Sequence, residues 1–161
     1  MITPDPKATP REQTPLVLMA LTVLGEAEGE PYAGKLAVAH VIVNRMKKHF
    51  TGVADTVLAP WQFSCWDPGT HRKEFLLTVI NKEAKNVLAG IWEECLQACE
   101  TAMKEPDTDP TFGATHYVII EEWSCDDARH KRPRWHSLQC ITRGITKELA
   151  RIGKHVFAST P

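Results

Sequence analysis

Three carboxylates, Glu26, Glu28 and Glu30, fall within five residues of one another, in the stretch Gly25-Glu26-Ala27-Glu28-Gly29-Glu30-Pro31-Tyr32. The stretch follows the apolar run Leu16 to Leu24. A carboxylate at the C-terminal end of a buried helix meets two effects that oppose its ionisation, the helix dipole and desolvation. Both favour a protonated acid, which is what a leaving glycosidic oxygen needs as its bond breaks. Glu26 is the carboxylate so placed. Glu30 precedes Pro31 at the start of the next helix, where an anion is stabilised and can bond backbone N–H groups to shape the loop. Glu28 is expected to face solvent. The plain alternative is that all three are ordinary charges in a polar turn, since only pocket geometry makes a loop carboxylate catalytic.

The elements that must hold this turn are readable on both sides. Thr14 can cap and Pro15 can open a helix that is apolar nearly all round and therefore buried, with Gly25 and Gly29 expected to stop it. Pro31 opens a second helix to about Phe50, with Leu36, Val38, Ala39, Val41, Ile42, Val43 and Met46 on a wide apolar face. Arg45, Lys47 and Lys48 lie near its C-terminal end, where the dipole favours cations. Residues 51–77 read as a loop region carrying the aromatic cluster Trp61-Gln62-Phe63-Ser64-Cys65-Trp66. Helices are expected at about 78–89 and 91–104, the second from the spacing of Trp92, Cys95, Leu96, Cys99, Ala102 and Met103. Residues 113–120 are β-prone after the breakers Pro106 and Asp109-Pro110. The charged segment 121–136 reads as an exposed excursion. Over 145–158 either a helix face (Ile145, Leu149, Ile152) or a turn at Gly153 into a strand fits.

Composition narrows the classes. With 161 residues the chain suits one compact domain, and its hydrophobic fraction of 43% is ordinary. A formal net charge of −1 gives no global attraction to nucleic acid. Residues 1–14, with Pro4, Pro6 and Pro10, read as a flexible lead-in to a domain over 15–161. No apolar run reaches a membrane span, and no apolar signal core follows a basic start, so neither stable insertion nor self-directed export is expected. The five cysteines, Cys65, Cys95, Cys99, Cys125 and Cys140, form no C-x-x-C pair and read as reduced, partly buried thiols.

Leu24 to Arg45, with its Gly-Glu-Ala-Glu-Gly-Glu-Pro-Tyr opening and its Asn44-Arg45 end, resembles the first motif of the spore cortex-lytic, cell-wall hydrolase family. Three further blocks agree in order: Gln62-Phe63-Ser64-Cys65-Trp66, Asp109 to Tyr117, and Ile152 to Phe157. The resemblance covers about residues 16–157. It implies an α+β, mainly helical, lysozyme-like single domain with a small β-element. It also implies cleavage of peptidoglycan between N-acetylmuramic acid and N-acetylglucosamine. The family's catalytic glutamate maps onto Glu26 and its second motif glutamate onto Glu30. The implied reaction is that of a lytic transglycosylase, in which the muramic 6-hydroxyl attacks its own anomeric carbon and one carboxylate serves as both acid and base.

Around the glycan the residue types place Gln62, Ser64, His116, Tyr117 and Trp135, by stacking on sugar rings or bonding hydroxyl and acetamido groups. Core packing of the aromatics Phe63 and Trp66, with Trp61 capping them, is the plain alternative. Strand alternation puts His116 and Tyr117 on opposite faces, so one of them points at the substrate. Asn44 is a candidate to bond the loop that carries Glu26. The chain departs from the family pattern at Ala158 after Phe157, at His136 after Trp135, and in the long charged segment after Tyr117. These departures bear on substrate preference more than on chemistry. No metal or organic cofactor is required. The rival readings are a zinc amidase using His116, His136 and His155 with Cys125 or Cys140, for which no H-E-x-x-H exists, and a non-catalytic wall-binding module. The expected setting is a monomer made in a host cytoplasm that reaches the wall after release, as a phage endolysin does.

Overall fold

The computed structural model describes residues 2–81, 89–119 and 147–159. Within them, helices α1 (Pro15–Ala27), α2 (Tyr32–His49), α3 (Val53–Val57), α4 (His71–Ile80) and α5 (Ala89–Lys104) precede strands β1 (His116–Ile119), β2 (Lys147–Ile152) and β3 (His155–Ser159). Trp135, His136, Cys125 and Cys140 lie outside the described residues, as does the whole 121–136 segment expected as an exposed excursion.

α1 is the central helix. Thr14 caps it by accepting from the Val17 N–H, Pro15 occupies its first turn, and every residue from Val17 to Gly25 is buried. It packs against α2, α3, α4 and α5, and α2 and α5 close on each other beside it. Gly25 does not stop the helix, contrary to the sequence expectation. It lies within the last turn, where a Cβ would come 2.6 Å from Cys65 Cβ. The glycine is there for close approach of the 64–66 turn, at a cost of about 1 kcal/mol in helix propensity.

α2 ends as expected, with Lys47, Lys48 and His49 in its last turn and Phe50 in the left-handed region donating its N–H to the Met46 carbonyl. The region 51–77 is not simply loop. It holds α3, a 3-10 turn over Ser64–Trp66, and α4, which runs from His71 to Ile80 where a helix was expected only from about 78. The apolar residues of α4 are spread around it and only Leu76 and Ile80 are buried, so its sequence carries little periodic signal. Along α5, Trp92, Cys95, Leu96, Cys99 and Ala102 are buried as the spacing predicts, while Met103 is 45% exposed.

The described strands form a three-stranded antiparallel sheet in the order β1-β3-β2, with Tyr117 opposite Phe157 and Val118 opposite Val156. Residues 147–152 are strand, so the turn reading of the tail holds and the helical one does not. Gly153, with φ +58, makes the β2–β3 turn. Residues 2–14, expected as a flexible lead-in, carry defined contacts. Gln13 is buried and its side chain bonds the backbone of Asp5 and Ala8, and the Trp92 indole donates to the Ile2 carbonyl at 2.8 Å.

Among the described residues three aromatics hold a left-handed backbone, Phe50 (φ 54), Trp61 (φ 63) and Phe112 (φ 55). For side chains of this size that conformation costs about 1–2 kcal/mol per residue. All three rings are exposed, at 96%, 77% and 76%. Trp61 therefore does not cap the core, while Phe63 and Trp66 belong to it.

Candidate active site

Glu26 sits in the last turn of α1 and is only partly buried. Three donors from two distant segments meet its carboxylate. Oε1 accepts from the Cys65 backbone N–H at 2.8 Å and the Ser64 hydroxyl at 3.3 Å. Oε2 accepts from the Tyr117 hydroxyl at 2.7 Å. The helix end, the 64–66 turn and strand β1 thus converge on one carboxylate.

Each partner is fixed from behind. The Cys65 thiol packs on Gly25 and points at the Thr22 carbonyl at 3.9 Å, and the Trp66 indole donates to the Thr22 hydroxyl at 3.0 Å. Burial pushes the Cys65 thiol well above the ordinary range, with Glu26 adding to it, so Cys65 stays a neutral thiol. Burial also raises Tyr117 well above the usual phenol range, again reinforced by Glu26, so it stays a phenol and a donor. Its ring stands edge-on to His155 (centroids 5.2 Å apart) and 5.8 Å from Phe157. Strand alternation thus resolves as one residue in and one aside. Tyr117 meets the carboxylate, and His116 bonds Thr115 through Nδ1 at 2.9 Å.

Arg45 joins the two segments, a role its position near a helix end did not disclose. Its Nε donates to the Thr115 carbonyl at 2.6 Å and its Nη1 to the Gln62 carbonyl at 2.9 Å. The guanidinium lies 4.5 Å from the centre of the Phe63 ring. Burial pulls Arg45 below its ordinary value, while Tyr117 and Glu26 oppose that shift. Gln62 therefore enters the arrangement through its backbone, with an exposed side chain.

Asn44 does not bond the loop carrying Glu26. It donates to Asp109 Oδ2 at 2.9 Å and to the Ala114 carbonyl at 3.0 Å, and so fixes the loop leading into β1. Asp109 is the hub of that loop. Burial alone would raise its carboxyl, but donors from Thr111, Asn44 and Gly113 together hold it below the usual carboxylate range. His40, buried beside it, is pushed down by desolvation, partly offset by Asp109.

Glu30, expected to bond backbone N–H groups at its own helix start, reaches a different segment. It is buried, and its Oε2 accepts the Lys154 N–H at 3.1 Å from the β2–β3 turn. Gly153 and Gly34 both lie against its side chain, with no room for a Cβ at either. Its carbonyl accepts from the buried Lys35 ammonium, which also pairs with Glu94 of α5 at 3.0 Å. Glu28, expected to face solvent, instead pairs with Arg72 of α4 at 2.7 Å.

Of the residues weighed as zinc ligands, His116 and His155 lie on β1 and β3. Among the described residues no group of three or more His, Cys, Asp or Glu side chains is placed to hold a metal ion. The described residues also contain no helix long and apolar enough to cross a membrane.

The cell wall hydrolase family pattern matches residues 29–158, and the chain belongs to that family. The match begins just after Glu26 and includes Glu30, Tyr117 and Phe157. The chain is 28% identical over 150 residues to a spore cortex-lytic enzyme of Halalkalibacterium halodurans, covering 88% of this chain and 34% of that protein. It is 36% identical over 73 residues to the spore cortex-lytic enzyme of Bacillus subtilis, covering 40% and 24%. The chain thus spans about a third or less of the length of these relatives. Among solved structures it is similar to the catalytic domain of the Bacillus cereus SleB protein, with TM-score 0.57, 25% identity and coverage of 90% and 89%. The catalytic domain of the germination-specific lytic transglycosylase SleB from Bacillus anthracis gives TM-score 0.58 at 24% identity, covering 90% and 93%. The mainly helical, lysozyme-like architecture with a small sheet agrees with the sequence expectation.

Proposed function

We propose that this domain cleaves peptidoglycan between N-acetylmuramic acid and N-acetylglucosamine as a lytic transglycosylase, with Glu26 as its single acid and base. The observation that carries the reading is the contrast between the two motif glutamates. Glu26 is partly exposed and held by three donors, whereas Glu30 is buried and committed to Lys154. One working carboxylate suits a reaction whose nucleophile is the substrate's own 6-hydroxyl. Membership of the cell wall hydrolase family and likeness to spore cortex-lytic enzymes support the substrate class.

The donors suggest which oxygen carries the proton. The Cys65 N–H can only donate, so Oε1 is the anchored oxygen. A phenol can donate or accept, so Tyr117 can turn to receive a proton on Oε2. In the first half of the reaction Oε2–H gives its proton to the departing N-acetylglucosamine oxygen as the C1–O bond breaks. The muramic 6-hydroxyl oxygen then bonds C1 and returns its proton to Oε2. Water is not consumed, and Glu26 ends as it began.

Mass spectrometry of fragments released from purified walls tests this. 1,6-Anhydromuramic ends are expected. Reducing muramic ends would make the domain a hydrolase on the same scaffold, and freed stem peptides on intact glycan would make it an amidase. The endolysin setting is a separate part of the proposal. Expression in a bacterial cytoplasm should lyse cells only when a membrane-permeabilising protein is co-expressed, and lysis without one would refute it. A monomer is expected by light scattering.

A further inference from the structure

Phe50, Trp61 and Phe112 each combine a left-handed backbone with an exposed ring, but Phe50 is the C-cap that ends α2, whereas Trp61 and Phe112 lie in the segments that lead to Ser64 and Tyr117. At the remaining left-handed positions among the described residues the chain uses glycine, Gly69, Gly113 and Gly153, where the conformation is free. A tryptophan and a phenylalanine held in that conformation, with their apolar faces in water, gain nothing from burial that would offset the strain. Their places in the chain are informative. Trp61 directly precedes Gln62, whose carbonyl Arg45 holds, and lies three residues before Ser64, which bonds Glu26. Phe112 lies three residues before Thr115, whose carbonyl the same guanidinium holds, and five before Tyr117, which bonds the other oxygen of Glu26. Three residues of chain span at most about 11 Å and five at most about 18 Å, which bounds how far the backbone of Trp61 lies from Ser64 and that of Phe112 from Tyr117, the two side chains on Glu26. Asp109, bonded to Thr111, Gly113 and Asn44, holds the Phe112 loop in one shape.

We propose that Trp61 and Phe112 are sugar-stacking platforms on the two rims flanking Glu26, each presenting its ring to the C–H face of one pyranose of the glycan strand. The backbone strain at both positions is what turns the rings outward from segments otherwise packed down by Phe63, Cys65, Ala114 and Thr115. This proposal rests on the glycosidase reading, since its occupant is the strand that Glu26 cleaves. The platforms contribute binding and registration of the strand, and do not touch the reacting atoms.

The test is equilibrium binding of a tetrasaccharide of alternating N-acetylglucosamine and N-acetylmuramic acid to the full chain carrying Glu26→Gln, so that it is not consumed. Trp61→Asn and Phe112→Asn are added singly, because asparagine tolerates the left-handed backbone. Each is expected to weaken binding about tenfold, as for an anchoring aromatic, with an unchanged or higher Tm, and Trp61→Phe should restore part of the loss. In the otherwise unaltered chain acting on walls, both asparagine variants should raise KM and leave kcat within about twofold. Binding unchanged by both substitutions would overturn the proposal, as would weakened binding accompanied by a falling Tm, which would mark a structural role. If the parent protein neither binds the tetrasaccharide nor cleaves walls, the glycosidase reading itself fails. A parent that cleaves walls while both variants keep its KM refutes only the platforms.

Discussion

The C-terminal end of α1 and the entry to α2 are four residues apart, carry the same side chain, and are built in opposite ways. At the first, Glu26 is partly open and takes donors from the 64–66 turn and from β1. At the second, Glu30 is enclosed, pressed against Gly34 and Gly153 and bonded to the β2–β3 turn. Both join α1 and α2 to segments far along the chain. The difference is that a hydroxyl partner can exchange a proton and a backbone N–H latch cannot. Adjacent glutamates in one motif can therefore divide chemistry from architecture, and the division is set by which partners the fold delivers.

The strongest way to break the comparison is at Glu26. Glu26→Gln keeps size and hydrogen-bonding capacity but cannot carry the proton, so wall cleavage should fall by about 10²–10⁴-fold in a turbidity assay. Retained activity would end the acid/base assignment. Gly25→Ala comes next, because its Cβ would meet Cys65 Cβ at 2.6 Å between two packed backbones. Destabilisation of about 1–3 kcal/mol is expected from overpacking, with activity lost beyond what unfolding explains, since the Cys65 N–H is driven off Glu26. Denaturant unfolding at constant m-value, read beside specific activity, checks it. Glu30→Gln removes a charge-assisted bond and should cost about 1–2 kcal/mol, lowering Tm by a few degrees while cleavage persists at low temperature.

Smaller effects sharpen the picture. Tyr117→Phe deletes one donor to Glu26 and should lower kcat about tenfold with KM little changed, since the ring still packs on Phe157 and His155. Alkaline pH should weaken the fold progressively. Burial first, with Glu94 and Glu28 adding and Lys35 opposing, pushes the Cys95 thiol from 9.0 to about 12. A thiol with a raised folded value gives its full stability below the unfolded value. That stability is lost as pH rises from about 9 toward 12, by about 1.4 kcal/mol per pH unit for one such group. A pH series of Tm values checks it, and Cys95→Ala should flatten the slope.

Much of the fold was legible because it rests on local signals. Thr14-Pro15, the unbroken apolar run after it, the spacing along α5 and the turn at Gly153 each follow from residues close in sequence. Gly25 misled, because a glycine after an apolar run reads as a stop when nothing local reveals that Cys65 must pack against it. α4 escaped notice because only Leu76 and Ile80 face the core. Within the site, the family resemblance pointed to Glu26, while residue type placed Ser64 and Tyr117 around the glycan rather than on the Glu26 carboxylate that they bond. The roles of Arg45 and Asn44 did not show, since their partners are carbonyls and a carboxylate up to 70 residues away. A buried cation at the edge of an apolar face has the same sequence signature as a solvated one. Trp135 lies outside the described residues.

The most direct measurement sets Glu26→Gln beside Glu30→Gln, with wall cleavage and thermal unfolding recorded for both. Glu26→Gln should unfold near the parent's Tm and fail to cleave, whereas Glu30→Gln should unfold several degrees lower and still cleave when cold. If Glu30→Gln is the folded, inactive one and Glu26→Gln still cleaves, the chemistry lies at the other glutamate and the account is wrong.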